Sequence, residues 1–185
     1  MISPDSPLDI LTRTGALREG HFLLPDGTHT GTMPRVGKAL QFAPFNRKLC
    51  YQIVRHFLEL DIHVVMAASP GAIPATVEIG RQLEARAIFT DDAAGPPTLR
   101  DGFELHEGER GLLVQDLLLD DASLAGHIAL FRRFDTRLVG IGSIVDARRK
   151  KERVTVRDVS AIELLPERYE ASSCPLCASG VPLSA

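Results

Sequence analysis

Apolar residues recur with two different periods along this chain, and the order in which the periods alternate predicts the fold. Spacings of three or four predict helices over 8–17, 42–60, 74–85 and 122–133. Short apolar runs predict strands at 62–67, 87–90, 112–114 and 138–145, with a further short strand and a turn over 21–30. Apolar strands separated by helices are typical of a parallel sheet that is covered on both faces. The pattern therefore predicts a doubly wound α/β fold.

Two loops are the candidate ligand sites, because such sheets bind ligands at the carboxyl ends of their strands, near a topological switch point. The first loop covers 68–72 and the second covers 115–123. Residues 91–102, between them, are rich in glycine and proline and too long for a simple connection. They predict a mobile flap over the site.

The second loop is acidic, since Asp116, Asp120 and Asp121 all lie at one junction between a strand and a helix. Helix N-termini in this position often bind phosphate, which carboxylates would repel. Oxygen ligands alone suit Mg²⁺ or Ca²⁺, so a metal site is a second interpretation, although no adjacent histidine or nucleophile completes a mechanism. The third interpretation is that the aspartates cap the helix that follows Ala122.

Composition describes an ordinary globular protein. The 185 residues, 44% of them hydrophobic and 24% charged, suit one domain with its own core. A net charge of −3 gives no general attraction to nucleic acid, and the basic run over 148–153 is typical of a solvated loop. We find neither a signal sequence nor an apolar window near the ~20 residues of a membrane span. A cytoplasmic protein without nucleic-acid or membrane partners is therefore expected.

Three cysteines cannot form a disulfide framework, and an odd number suits a reducing compartment. Cys174 and Cys177 have the C-x-x-C spacing of zinc ligands, but no second C-x-x-C and no H-x-x-x-H pair completes a set of four. A site shared between two subunits and a metal-free turn both remain open. Histidines such as His21 and His29 lack ligand spacing and are interpreted as surface or core residues.

Five dispersed blocks of sequence resemble, in the same order, the bacterial orotate phosphoribosyltransferases, which are type I phosphoribosyltransferases. The blocks are GHFLL at 20–24 with GTH at 27–29, KALQF at 38–42, TLRDGFEL at 98–105, EGER at 107–110 and CPLCASGVPL at 174–183. The resemblance runs from about residue 8 to residue 183, nearly the whole chain.

This resemblance implies a Rossmann-like parallel sheet flanked by helices, with a small hood. It places the whole chain, 1–185, in one domain, whose hood comes from about 1–40 and about 150–185. It also implies a homodimer and a reaction in which orotate displaces pyrophosphate from phosphoribosyl pyrophosphate (PRPP), with Mg²⁺ present when PRPP binds.

The phosphate loop departs from the family pattern. Where the resemblance implies two adjacent acids against the ribose, this chain has Gln115 and Asp116, and where it implies Thr-Thr-Gly-Gly, residues 119–122 read Leu-Asp-Asp-Ala. Ser123 alone still offers a hydroxyl. Unit charges ~4 Å apart repel by about 1 kcal/mol in water and about 4 kcal/mol at an effective dielectric of 20. We therefore expect weak or no binding of PRPP.

Other contacts implied by the resemblance are also changed. The pyrophosphate loop keeps Gly71, the flap keeps Arg100 but has Asp101 where a second arginine is implied, and the base-contacting arginine aligns with Ala147, one position before Arg148. The resemblance assigns catalysis to Asp116 and Arg100, and substrate binding to Lys38, Gly71, Ala72, Gln115, Asp116, Asp120, Asp121, Ser123 and Arg148.

Three functional hypotheses follow. The first is a phosphoribosyltransferase-like protein with weak or lost PRPP-dependent transfer and a role in small-molecule binding or regulation. The alternative is an active phosphoribosyltransferase, for orotate or another nucleobase, in pyrimidine nucleotide biosynthesis. A protein that binds a divalent metal through the acidic loop is the third.

Overall fold

The computed structural model describes residues 6–91, 95–149, 151 and 155–184, which contain six α-helices, two short 3₁₀ helices (Pro70–Ala72 and Ala171–Ser173) and nine strands. The helices are α1 (Pro7–Arg13), α2 (Gly37–Leu40), α3 (Ala43–Val54), α4 (Ile73–Leu83), α5 (Ala122–Arg133) and α6 (Pro175–Ala178). The strands are β1 (Leu17–Leu23), β2 (His29–Pro34), β3 (Val64–Ala67), β4 (Arg86–Asp91), β5 (Thr98–Leu99), β6 (Arg110–Leu118), β7 (Arg137–Asp146), β8 (Arg157–Glu163) and β9 (Arg168–Tyr169). No helix in these ranges is both long and apolar enough to cross a bilayer.

A six-stranded sheet with the order β5-β4-β3-β6-β7-β8 forms the centre of the molecule. Its strands are parallel except for β5, which pairs antiparallel with β4. Parallel neighbours need crossover connections, and α4 and α5 supply them between β3 and β4 and between β6 and β7. The predicted doubly wound α/β fold is confirmed.

Both faces of this sheet are buried, as the continuous apolar runs predict. In β3, Val65 and Ala67 belong to the core cluster that includes α3 and α4, while Val64 and Met66 belong to the cluster that includes α5. Gly142 in β7 lets the first cluster close, because a Cβ atom there would lie 2.7 Å from the side chain of Ile53. The two clusters hold the carboxyl ends of β3 and β6 in fixed positions.

A separate three-stranded antiparallel sheet, in the order β1-β2-β9, is built from both ends of the chain. We call this sheet, with α6 and the tail to residue 184, the hood. The boundaries predicted for the hood are too wide at both ends. Ile10, Leu11 and Leu40 are buried in the main core, and β8 pairs with β7 in the central sheet, so the C-terminal part of the hood begins at β9.

Several predicted elements differ from those observed at their ends. The first helix stops at Arg13 because Gly15, with φ of +62°, takes a left-handed conformation, and Leu17 already begins β1. The long helix predicted to Leu60 ends at Val54 and continues as turns. The sequence interpretation missed β8 and β9, which follow the basic run.

Candidate active site

The two candidate loops meet through one hydrogen-bonded serine. Val114 in β6 pairs with Ala67 at the end of β3, which brings Asp116 beside the turn that begins at Ser69. Ser69 Oγ donates a hydrogen bond to Asp116 Oδ1 at 2.8 Å and accepts one from the backbone N–H of Ala72 at 3.1 Å. The carboxylate is therefore fixed at the carboxyl end of the sheet, where the sequence placed the site.

Gly71 is required by this arrangement. A Cβ atom at residue 71 would lie 2.3 Å from Asp116 Oδ2, far inside van der Waals contact. The backbone of the turn approaches the carboxylate more closely than any side-chain-bearing residue would allow. Gly71 and Asp116, two of the predicted site residues, thus form one structural unit.

A cavity of about 530 Å³ lies between this unit and the hood. Its lining includes Asp116 and Leu117 from β6, the tail residue Ser184, and the two cationic side chains Arg35 and Lys38. Lys38 is exposed to solvent in the cavity wall, as a predicted substrate contact should be. The remaining lining residues are apolar or glycine: Phe22, Leu23, Met33, Pro34, Val36 and Gly37. The cavity thus offers cationic side chains, Arg35 and Lys38, to an anionic part of a ligand, and the Asp116 carboxylate to its hydroxyl groups.

Gln115 does not line this cavity. It lies opposite Ser143 of β7 in the parallel register and is 8% exposed. Within the described residues, Gln115 Oε1 and Ser143 Oγ are buried without a hydrogen-bond partner. The predicted substrate contact therefore points into the protein, on the face of the sheet opposite Asp116.

Asp120 caps the helix that follows the loop. Its Oδ1 accepts a hydrogen bond from the backbone N–H of Ser123 at 2.8 Å, while Ser123 Oγ donates to Asp120 O at 3.1 Å. One of the amides that a phosphate would use at this helix N-terminus is thus bound to a carboxylate of the chain itself. The capping interpretation holds for Asp120.

Asp121 instead forms part of an ion-pair network around Arg148. The guanidinium of Arg148 is wholly buried and contacts Asp121, Asp146 and Asp158, with Nη2 2.7 Å from both Asp146 Oδ2 and Asp158 Oδ2. Lys151 Nζ lies 2.9 Å from Asp146 Oδ2 on the outer side.

This network corrects two predictions. Arg148 neither lines the cavity nor belongs to a solvated loop, because three carboxylates hold it inside the protein. Residues 150, 152 and 153 of the predicted basic run lie outside the described ranges. Burial opposes charge on Arg148, but the hydrogen bonds that its guanidinium donates to Asp146, Asp158 and Asp121 raise its pKa above the ordinary value. Burial also opposes charge on Asp146, which by itself would raise the pKa of this carboxyl. The hydrogen bonds that Arg148 and Lys151 donate to it lower the pKa instead.

Arg100 lies away from the cavity. Its guanidinium stacks over the ring of Phe89 at 5.6 Å. The preceding strand, β5, pairs with β4 at the edge of the sheet, and two strands, β4 and β3, separate it from β6. Within the described part of the predicted flap, 95–102, Thr98 and Leu99 pair with β4, and none of these residues lines the cavity at Asp116. Residues 92–94 lie outside the described residues. In this conformation the catalytic assignment of Arg100 has no geometric support.

The metal interpretation of the acidic loop also fails on geometry. Asp116 accepts a hydrogen bond from Ser69, Asp120 caps α5 and Asp121 contacts Arg148. The three carboxylates therefore interact with different partners and do not converge on one point. Within the described ranges, the side chains that could together hold a metal ion are His21, His29, Cys174 and Cys177. The sequence interpretation treated these histidines as unrelated to the C-x-x-C pair, because eight residues separate them and about 150 separate them from the cysteines.

Sequence reasoning also missed Ser69, Arg35 and Ser184 as site residues. Ser69 has a local signal, because a serine before Pro-Gly at a turn commonly accepts hydrogen bonds from the backbone that follows. Arg35 and Ser184 have no such signal, since the fold of the hood alone brings them to the cavity.

The central parallel sheet, the hood and the carboxylate between them define a type I phosphoribosyltransferase fold. The chain superimposes on orotate phosphoribosyltransferase from Aeropyrum pernix with a TM-score of 0.68 and 17% identity, covering 85% of this chain and 93% of the other. Adenine phosphoribosyltransferase from Rhodothermus marinus gives a TM-score of 0.64 and 18% identity, covering 85% of this chain and 98% of the other.

Sequence comparison narrows this class. The chain is 34% identical over 178 residues to an orotate phosphoribosyltransferase from Chlorobium phaeobacteroides, covering 96% of this chain and 92% of the relative. It is 32% identical over 175 residues to the orotate phosphoribosyltransferase from Desulforamulus reducens, covering 95% and 92%. No protein-family model matches the chain. The chain belongs to the orotate phosphoribosyltransferase family, which confirms the resemblance found in its sequence blocks.

Proposed function

We propose that this protein is an active phosphoribosyltransferase that transfers phosphoribose from PRPP to orotate or another nucleobase in pyrimidine nucleotide biosynthesis. The observation that carries the proposal is Asp116, which is held against Ser69 and Gly71 and lines the same cavity as Lys38. Relatives named orotate phosphoribosyltransferase align with 95–96% of the chain, which favours transfer over a purely regulatory role.

The charges around the cavity suit the two ends of PRPP. Asp116 offers carboxylate oxygens that can accept hydrogen bonds from ribose hydroxyls. Arg35 and Lys38 lie in the wall between β2 and α3, where their positive charge would stabilise the pyrophosphate as it leaves. The hydrogen bond from Ser69 holds the Asp116 carboxylate in position before the substrate binds.

The oxygen donors also fit Mg²⁺. Magnesium is commonly bound by one or two carboxylates together with substrate phosphates, and Asp116 supplies one such carboxylate at the cavity. When bound with PRPP, Mg²⁺ would neutralise phosphate charge. The residues of this chain would then orient the ribose and exclude water from it.

A second candidate function is ligand binding or regulation with weak or lost transfer, and one observation favours it. Asp120 already accepts a hydrogen bond from the backbone N–H of Ser123. A 5-phosphate at the start of α5 would have to displace this carboxylate and would then lie beside its negative charge. On this account the protein binds a ligand in the cavity without efficient turnover.

An assay of orotate turnover with PRPP and Mg²⁺, run beside calorimetric titration of PRPP, separates the two candidates. Transfer with a high KM for PRPP is the result we expect, and Asp116→Asn should lower kcat/KM at least tenfold. Glu59→Gln, which changes an exposed acid after α3 that does not line the cavity, serves as the control. Binding without turnover on orotate, uracil or adenine would favour the regulatory role. Neither binding nor turnover would overturn both candidates.

A homodimer is part of the same proposal. The family resemblance implies it, and light scattering coupled to size-exclusion chromatography tests it directly. A mass of two chains is the expected result, against 20.2 kDa for one chain.

A further inference from the structure

Four side chains with good metal-ligand atoms meet in the hood, far apart in sequence. His21 lies in β1, His29 begins β2, Cys174 precedes α6 and Cys177 lies within it. Their ligand atoms, His21 Nε2, His29 Nδ1 and the two Sγ atoms, all lie within 4.8 Å of one another. We call these residues the hood cluster.

Three sulfur–nitrogen distances within the hood cluster are close to the edges of a zinc-centred tetrahedron. Zn–N bonds of about 2.0–2.1 Å and Zn–S bonds of about 2.3 Å imply ligand separations of roughly 3.3 Å for N···N and roughly 3.5 Å for N···S. The observed Sγ···N distances are 3.5 Å for Cys174 to His21, 3.7 Å for Cys177 to His21 and 3.3 Å for Cys177 to His29. The two ring nitrogens are 2.8 Å apart, a hydrogen-bond distance, and would have to separate by about 0.5 Å to bind one ion.

The tautomer of His21 also suits a metal ligand. Its Nδ1 lies 2.7 Å from the carbonyl oxygen of Val181, and a carbonyl only accepts hydrogen bonds, so Nδ1 carries the proton. The lone pair is therefore on Nε2, which points to the other three ligand atoms. Backbone carbonyls commonly orient zinc-bound histidines in this way.

Burial separates the hood cluster from an ordinary group of polar residues. His21, His29 and Cys174 are 1%, 7% and 2% exposed, while Cys177 closes the cluster on the outer side. Cys50 shows what a buried thiol of this protein looks like elsewhere: it lies in the main core and donates to Asn46 Oδ1 at 3.1 Å. The hood thiols instead both contact imidazole nitrogens.

We propose that His21, His29, Cys174 and Cys177 bind one Zn²⁺ ion in a closed structural site. Two thiolates and two imidazoles in tetrahedral positions form a common donor set for structural zinc. Four protein ligands leave no open position, which distinguishes this site from a catalytic one.

Such an ion would connect the two ends of the chain. It would join β1 and β2 to α6 and so fix the tail beyond it, where the backbone N–H of Ser184 donates to His21 O at 2.6 Å. Ser184 also lines the 530 Å³ cavity. The zinc would thus hold one wall of the candidate active site, yet its binding does not depend on which reaction occurs there.

Metal analysis of the full-length protein, purified under reducing conditions without chelator, is the direct test. Mass spectrometry of the metal content should find one zinc per chain, and Cys174→Ser should reduce it to background. Cys50→Ser, which removes a buried thiol outside the hood, should leave it unchanged. Zinc well below one per chain in the unmodified protein, or a Cys174–Cys177 disulfide formed instead, would overturn the proposal.

Cobalt spectroscopy keeps the test valid if a serine variant does not fold. The apoprotein titrated with Co²⁺ should show the intense visible bands of a tetrahedral site and thiolate-to-cobalt charge-transfer bands. Cys177→His keeps four ligands, so the visible bands should remain while about half of the charge-transfer intensity disappears. Charge-transfer intensity that this substitution leaves unchanged would place the metal elsewhere.

Discussion

The acidic junction at the start of α5 and the hood cluster are both dense groups of ionisable side chains, yet their geometry is opposite. In the acidic junction each carboxylate has its own partner: Asp116 has Ser69, Asp120 has the N–H of Ser123, and Asp121 has Arg148. In the hood cluster four ligand atoms converge on one point. A cluster of ionisable residues can therefore bind a metal only if its ligand atoms converge on one point. A high density of such residues in the sequence is not enough.

Removal of Arg148 should have the largest effect, because it would leave buried carboxylates without their main cation. We expect Arg148→Met to lower the free energy of unfolding by about 3–5 kcal/mol, measured by urea denaturation. Arg148→Lys should recover only part of this loss, since an ammonium cannot bridge three carboxylates in a fork geometry. Arg149→Met, at an exposed position, is the matched control.

The same substitution should change the ion-pair network around Arg148 without changing metal binding by the hood cluster. If Arg148→Met remains folded, its zinc content should equal that of the unmodified protein, because the hood cluster shares no ligand with the ion-pair network. A loss of stability below about 1 kcal/mol would mean that the network contributes little to the fold.

Acid should weaken the network next. The pKa of Asp146 is lower in the folded protein than in the unfolded chain, so its contribution is complete above the unfolded value and disappears as pH falls through the folded value. The free energy of unfolding should therefore decrease as the pH is lowered beyond about 4. The slope should be at most about 1.4 kcal/mol per pH unit for each proton taken up.

Asp146→Asn identifies the residue responsible. This variant should be less stable at neutral pH but should lose less stability between pH 5 and pH 3, measured by urea denaturation at each pH. Asp101→Asn, at an exposed position, should keep the full slope. An unchanged slope in Asp146→Asn would assign the acid sensitivity to another group.

The smallest effect should come from the charge that occupies the helix N-terminus. Asp120→Asn keeps an N-cap side chain and removes one negative charge, so PRPP affinity should rise roughly tenfold, equivalent to about 1.4 kcal/mol. Calorimetry with PRPP and Mg²⁺ measures this change, and Glu59→Gln, an exposed substitution after α3, is the control. Equal affinity in both variants would mean that the phosphate does not bind at α5.

Most of the central sheet could be predicted from sequence because its strands are buried on both faces and read as continuous apolar runs. The strands β8 and β9 could not, since their residues are mostly half exposed and carry no clear period; β8 mixes charged, polar and apolar side chains. Local pattern also placed α5 correctly from Ala122 to Arg133.

Within the site, prediction succeeded for interactions between residues close in sequence. The capping of α5 by Asp120 spans three residues and follows from helix chemistry. Arg148 is two residues from Asp146, but its other two partners, Asp121 and Asp158, are 27 and 10 residues away. The hood cluster depends on contacts across more than 150 residues, between His21 and Cys174. No periodicity or motif spacing encodes such contacts, so the resemblance alone placed Arg148 at the substrate.

The closeness of Gly71 to Asp116 couples the effects of substitutions at these two positions. A Cβ at residue 71 would lie 2.3 Å from Asp116 Oδ2, so any side chain there requires the carboxylate to move from its hydrogen bond with Ser69. Substitution of Gly71 while Asp116 is present therefore disturbs the position of the acid. After replacement of Asp116 by a smaller residue, the same substitution at residue 71 no longer meets that carboxylate, so the effect of a change at one position depends on the residue at the other.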